Sequence, residues 1–237
     1  MVQRLDKFIA SQGTLSRSDA TRLIRRGRVT VNGIVCRDTS SKIDETDAVA
    51  IDGNPISYQK FVYLMMNKPS GILCVSRDPH AKTVVDLLPP EQQRKGLFPA
   101  GRLDKDTVGL VILTDDGDFA HRMLSPKKTV AKCYHARLDG PLSEEDVAAF
   151  REGITLADGT LCRPASLRIL EDGEEPLAEI IITEGRYHQI KRMFGVRDRG
   201  VNWLKRISIG KLVLDPLLKE GESRYLTADE VQKPFES

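Results

Sequence analysis

The sequence predicts an α+β fold in two parts: a small head of two helices and a hairpin, then a larger, mainly antiparallel body. Three observations predict it. Before residue 27 apolar residues recur at helical spacing, and just after it they alternate at strand spacing around an Asn-Gly pair. Beyond residue 60, apolar runs of strand length dominate, with no strict strand–helix alternation and no Gly-rich phosphate loop. The chain has 237 residues, 40% hydrophobic and 30% charged. That suits one or two globular domains at about 150 residues each, with enough chain to bury a core unaided.

In the head, RLDKFIAS places Leu5, Phe8 and Ile9 on one helical face. Ser16 then reads as an N-cap with Asp19 three residues on, a capping box with a short acid. Ala20, Leu23 and Ile24 form the stripe of the second helix, and Gly27 is placed to end it. RVTVNGIVCR is a hairpin around Asn32-Gly33, and a further strand is expected at 48–51. GNPISYQK (53–60) reads as a linker, so the domains are expected at 1–57 and 58–237.

In the body, FVYLMMNKP is a buried strand ending at Lys68-Pro69, with GILCVS as its expected hairpin partner. A short helix is expected near VVDLLPP. VILTDDG is a strand closing in an Asp-Asp-Gly turn, and 118–124 is helical. Strands follow at VAKCYHARL, ASLRIL, AEIIITEG and KRISIGKLVL. Ile190, Met193 and Phe194 give YHQIKRMFGV a helical spacing, and TADEVQK is a capped segment.

Charge is informative locally. The net charge is +2, yet residues 1–42 carry nine bases against three acids. A basic head on a mildly acidic body points to a polyanion partner, against the plainer reading of a solvated helix face. Aromatics at 5% argue against an extended stacking platform for single strands. No apolar run approaches the roughly 18 residues of a membrane span, and MVQRLDKFIA has no apolar signal core. No two of Cys36, Cys74, Cys133 and Cys162 form a CxxC pair, so no clustered metal site and a reducing cytoplasm are expected.

Two segments could carry chemistry. In AGRLDKDTVGL, Asp104 and Asp106 lie between two glycines, just before an apolar strand. A carboxylate held there can face a cleft, or can simply satisfy turn N–H groups. In TEGRYHQIKRMF, Arg186, His188, Lys191 and Arg192 gather where a helix follows a strand. Such cations bind phosphate or neutralise an acid, or form a solvated basic face. His188 alone reads as a structural histidine, and Tyr134 alone as a half-buried strand residue.

Residues 4–51, with RLDKFIA and then SRSDATRLIRRGRVTVNG, resemble the small RNA-binding domain first described in small-subunit ribosomal protein four. The resemblance implies RNA held through phosphates and shape. Arg17, Arg22 and Arg25 would come from the second helix, with Arg4, Arg26 and Arg28 beside them.

Taken in order, NKPSGILCVSRD, GRLDKDTVGLVILTDDG, AKCYHARL and EGRYHQIKRMF resemble the RsuA family of pseudouridine synthases over nearly the whole chain. This implies a mixed-sheet catalytic domain with a central cleft that isomerises one uridine of ribosomal RNA, with the small subunit favoured. Asp104 matches the family's catalytic aspartate. Arg102 matches the arginine that displaces the target nucleotide, Tyr134 the tyrosine that packs on the flipped base, and Lys191 the basic position that pairs with the aspartate. Arg186, His188 and Arg192 would contact RNA, and Asp106 would be structural. Ile207 and Ser208 depart from the family, and Trp203 is expected in the core. The reaction moves no electrons or phosphate, so no cofactor and no metal are expected. The implied partner is ribosomal RNA or a ribosomal subunit assembly intermediate, bound by a cytoplasmic monomer without a membrane. Two alternatives are a ribosome-binding or assembly factor using mainly the head, and a nucleosidase, which would need a second carboxylate.

Overall fold

The computed structural model describes residues 2–13, 15–56, 58–125 and 128–236. It divides into two units, 1–62 with 88–97, and 63–87 with 98–237. Residue 57, where the sequence reading sets its boundary, lies outside the described residues.

In the first unit, local signals decide the elements. The helices run Leu5–Ser11 and Arg17–Arg25. Ser16 accepts from the Asp19 N–H while Asp19 reaches back, closing the capping box and satisfying two helix-end donors. Gly27 takes φ +71°, which ends the helix at little steric cost. Asn32 and Gly33 both have positive φ and turn Val29–Val31 onto Ile34–Val35. Leu5, Phe8, Ile9, Ala20, Ile24, Val29, Ile43 and Val49 form the core. Asn54–Ile56 is no linker but a strand paired with Val49–Ile51. Asp52 (φ +51°) and Gly53 (φ +80°) make the turn, and Ile56 packs on the core. The Asp-Gly pair is itself a hairpin signal.

The second unit is built on a nine-stranded sheet. Its order is Ser166–Glu171, Leu177–Ile182, Lys132–Leu138, Val201–Ile209, Val108–Thr114, Tyr63–Lys68 and Ser223–Tyr225. Leu212–Val213 and Phe98–Pro99 are added at its margins. Every pair is antiparallel except Val201–Ile209 on Val108–Thr114. The seven residues of Val108–Thr114 are all buried, as a central strand covered on both faces requires. Lys132–Leu138 instead alternates buried and half-buried side chains, one face inward. Helix Gly117–Leu124 covers one part of the sheet, capped by Asp116, so the Asp-Asp-Gly segment is a helix start.

Three further expectations fail here. GILCVS is not the hairpin partner of Tyr63–Lys68, whose neighbours are Val108–Thr114 and Ser223–Tyr225. It contributes one bridge, Leu73 to Thr83. VVDLLPP holds turns, followed by a short 3₁₀ helix at Pro90–Gln92, because paired prolines oppose a continuing helix. Trp203 is exposed, opposite Arg137 on the outer sheet face, and not in the core. Helix Glu144–Glu152, with its Ser143 capping box, adds an element that the sequence analysis did not predict. Among the described residues no helix is long and apolar enough to cross a membrane.

Candidate active site

The loop before the central strand is held from beneath. Lys68 is fully buried, and its ammonium donates to the carbonyls of Pro69, Lys105 and Thr107 at 2.9–3.0 Å. Three acceptors satisfy three donors, so the cation can stay buried without a carboxylate. Burial still pulls the Lys68 pKa down. Two glycines set the ends of this loop. Gly101 has φ +93° and Gly109 φ +99°, and a Cβ on Gly109 would lie 2.3 Å from the Arg206 carbonyl oxygen. Gly109 therefore permits the close parallel pairing of Arg206 with the central strand.

Asp104 projects from this loop with its side chain 27% exposed. His188 Nε2 lies 3.5 Å from one carboxylate oxygen and Lys191 Nζ 3.8 Å from the other. Lys191 comes from the helix Gln189–Gly195, whose Ile190, Met193 and Phe194 are buried as their spacing predicts. Yet Lys191 hydrogen-bonds Asp106, at 2.6 and 2.7 Å, and not Asp104. That bond lowers the Asp106 pKa. Lys191 thus lies within ion-pair distance of Asp104, as expected, while hydrogen-bonding Asp106: the ammonium bridges two carboxylates and favours the outer one.

The floor is set by strand alternation. Lys132 and Tyr134 share the buried face of Lys132–Leu138, and Tyr134 pairs in register with Arg206. Arg206 is buried. Its Nε donates to the Leu110 carbonyl at 2.8 Å, a terminal nitrogen reaches the Tyr134 hydroxyl at 3.4 Å, and the guanidinium lies 6.0 Å from the Tyr134 ring centre. The other terminal nitrogen is buried without a hydrogen-bond partner among the described residues. Lys132 donates to Val130 O, and burial with Arg206 nearby brings its pKa down to about 8. Asp104, Arg102, Tyr134, Arg206, Lys132, Arg186, Tyr187, His188 and Lys191 all line one cavity of about 900 Å³. Arg102 is exposed on its wall. A carboxylate at the rim, a phenol ring and two buried cations below can grip a planar polar ring and stabilise negative charge on it.

Sequence reasoning missed Arg206, Lys132 and Lys68. The available signal was a base at an inward-facing position of an otherwise apolar strand pattern, as in Leu204, Arg206 and Ile209. Other expected contacts are engaged internally. Arg186 pairs with Glu184 at 3.2 Å, and Arg192 with Asp158. In the first unit, Arg4 and Arg17 both bind Asp6 and hold it at about 2, Arg22 binds Asp19, and Arg28 binds Asp52. Arg25 and Arg26 are exposed.

On the opposite, half-buried sheet face, Cys133, His135 and Glu179 bring three possible metal ligands within 4.8 Å of one another. Cysteine spacing could not show this, because the strand pairing His135–Glu179 assembles it. Glu179 is also bound by Arg168 at 3.0 Å. Burial and Glu179 push the Cys133 thiol up to about 12, which disfavours the thiolate a metal needs.

Comparisons with known proteins agree on one family. The RNA pseudouridylate synthase family model matches residues 62–195, and the S4 domain model matches 3–49. The chain belongs to the RNA pseudouridylate synthase family. It is 42% identical over 230 residues to the ribosomal small subunit pseudouridine synthase A of Escherichia coli (strain K12), covering 96% of this chain and 98% of that one. It is 43% identical to an uncharacterized RNA pseudouridine synthase of Bacillus subtilis (strain 168), covering 96% of each. A crystal structure of a pseudouridylate synthase superposes with a TM-score of 0.68 at 40% identity, covering 98% of this chain and 99% of that one. This pseudouridylate synthase is therefore an isomerase acting on RNA, with an S4 domain ahead of its catalytic domain.

Proposed function

We propose that this synthase isomerises one uridine of small-subunit ribosomal RNA to pseudouridine in the cytoplasm, as a monomer working on the RNA or on a subunit assembly intermediate. The reading rests on the Asp104 carboxylate at the rim of a cavity whose floor is Tyr134 and Arg206.

The reaction breaks N1–C1′, turns the base and joins C5 to C1′; C5 gives up a proton and N1 gains one. Asp104 acts directly on the extruded nucleoside. Tyr134 packs on the base. Extrusion costs a few kcal/mol, which Arg102, placed on the cavity wall, offsets by filling the vacated stack. Arg206 and Lys132 favour the detached base, which carries negative charge until C5 attacks. Lys191 orients the acidic rim through Asp106 and Asp104. The exposed Arg25 and Arg26, with Arg4, Arg17, Arg22 and Arg28, give the head its phosphate contacts.

The test is tritium release from small-subunit ribosomal RNA labelled at uridine C5, comparing wild type with Asp104→Asn. Release is expected from the wild type and none from the variant. An Asp104→Asn protein with full activity would overturn the catalytic assignment. Mapping pseudouridine in RNA from cells lacking the protein identifies the site.

A further inference from the structure

Tyr187 is the most exposed aromatic among the described residues, at 74%, yet it lines the catalytic cavity. An aromatic ring on a solvent-facing wall has no share in the core, and its position needs another reason. One face of the ring is covered: it stacks on the His188 imidazole, with centres 3.8 Å apart and planes at 16°. With so much of the ring in solvent, the other face stays open.

The segment that presents Tyr187 is stiff and strained. His188 has left-handed backbone, φ +48° and ψ +33°, which costs a non-glycine residue about 1 kcal/mol or more. The turn is fixed by Gln189, itself buried. Its side-chain oxygen accepts from the Arg186 N–H at 2.9 Å, and its amide donates to Glu184 at 2.9 Å. The same His188 reaches to within 3.5 Å of Asp104. The exposed ring, the strained turn and the carboxylate thus form one continuous contact.

We propose that Tyr187 is a stacking site for the nucleobase adjacent to the target uridine, and so a positioning and specificity residue. The inference rests on the reading that the protein modifies RNA. Extruding one nucleotide removes a stacking neighbour from the base beside it. That base gains a new partner on the open face of Tyr187, while its own stack on His188 keeps the ring from yielding. Every base has a π face, and stacking of this kind contributes about 1–3 kcal/mol per base. A flanking purine, with its larger face, is favoured over a pyrimidine.

The full-length protein is assayed on a short RNA spanning the uridine that the wild type modifies. 2-Aminopurine replaces the nucleotide on its 5′ side in one RNA and on its 3′ side in another. Wild type and Tyr187→Phe are expected to change the 2-aminopurine fluorescence on one side only, and Tyr187→Ala to abolish that change. In Tyr187→Ala, KM is expected to rise about tenfold or more, exceeding any fall in kcat. A flanking purine-to-pyrimidine swap is expected to weaken wild-type binding but not that of Tyr187→Ala. Tyr187→Ala with wild-type KM and fluorescence would overturn the inference while leaving the synthase reading intact. A defect in Tyr187→Phe equal to that of Tyr187→Ala would replace stacking by a hydroxyl role, and so overturn it too. If the wild type forms no pseudouridine, the functional reading itself fails, a separate result.

Discussion

Lys191 stands between two carboxylates and bonds the outer one. The 2.6 Å contact with Asp106 and the 3.8 Å contact with Asp104 divide its charge unequally. Asp106→Asn is expected to release the ammonium toward Asp104 and keep tritium release, whereas Lys191→Met should lower kcat by about tenfold or more. The reverse ranking would make Asp106 the essential acid. Lys68 invites a second prediction. Replacing it by Met removes three hydrogen bonds to loop carbonyls, one of them buried, at a cost of roughly 3 kcal/mol. A urea midpoint well below the wild type's is expected, with kcat falling as the 104–107 loop loosens. The role of Lys68, unlike that of Lys191, is not visible in the sequence. GRLD announces Asp104 because its pattern is long, but a lysine at the end of a strand looks like any surface lysine until the fold buries it. Arg206 is marked only by its inward alternation with Leu204, and its pairing opposite Gly109 and Tyr134 turns it into the cavity floor.

At the scale of elements, legibility follows the range of the forces. Helix caps and Asn-Gly turns act within four residues, so Arg17–Arg25 and the Val29–Val35 hairpin follow from the sequence alone. The choice of strand neighbours is long-range. Ser223–Tyr225 displaces GILCVS beside Tyr63–Lys68, and no local pattern records that competition. Where strands 108–114 and 201–209 touch, Gly109→Ala would push a methyl into backbone and strain a positive φ. A melting temperature several degrees lower is expected, with reduced activity as Arg206 is displaced. The strand Ser223–Tyr225 and the helix Ala228–Gln232 are joined by Arg224, which binds Glu230 through two bonds of 2.8 Å. That pair holds the Glu230 pKa near 2, against an ordinary 4.5. A depressed carboxylate contributes stability above its unfolded value and loses it as pH falls toward the folded one, here between 4.5 and about 2. Glu230→Gln should therefore melt earlier than wild type at pH 7, and the gap should narrow as pH drops toward 3. A gap independent of pH would deny the linkage.

At the scale of the whole molecule, the two units divide the work. On the proposed reading, a head with six more bases than acids in its first 42 residues confers affinity, and the sheet domain confers chemistry. Arg25→Ala with Arg26→Ala is expected to weaken RNA binding and to flatten the plot of log affinity against log salt. The slope should fall by about 0.7–0.9 for each phosphate no longer neutralised. An unchanged slope would place these arginines away from RNA. Arg4 and Arg17 already share Asp6, so their removal should also cost head stability, which the exposed pair should not.

The parallel pairing of strand 201–209 with strand 108–114 has a temporal consequence. The core of the head draws on residues 5–58, whereas Arg206 meets Leu110 across 96 residues of chain. During synthesis the amino-terminal grip can fold while the floor of the cavity is still unmade. A nascent polypeptide stalled before residue 206 is expected to bind RNA and to modify no uridine, with catalytic competence arriving only once strand 201–209 has paired with strand 108–114.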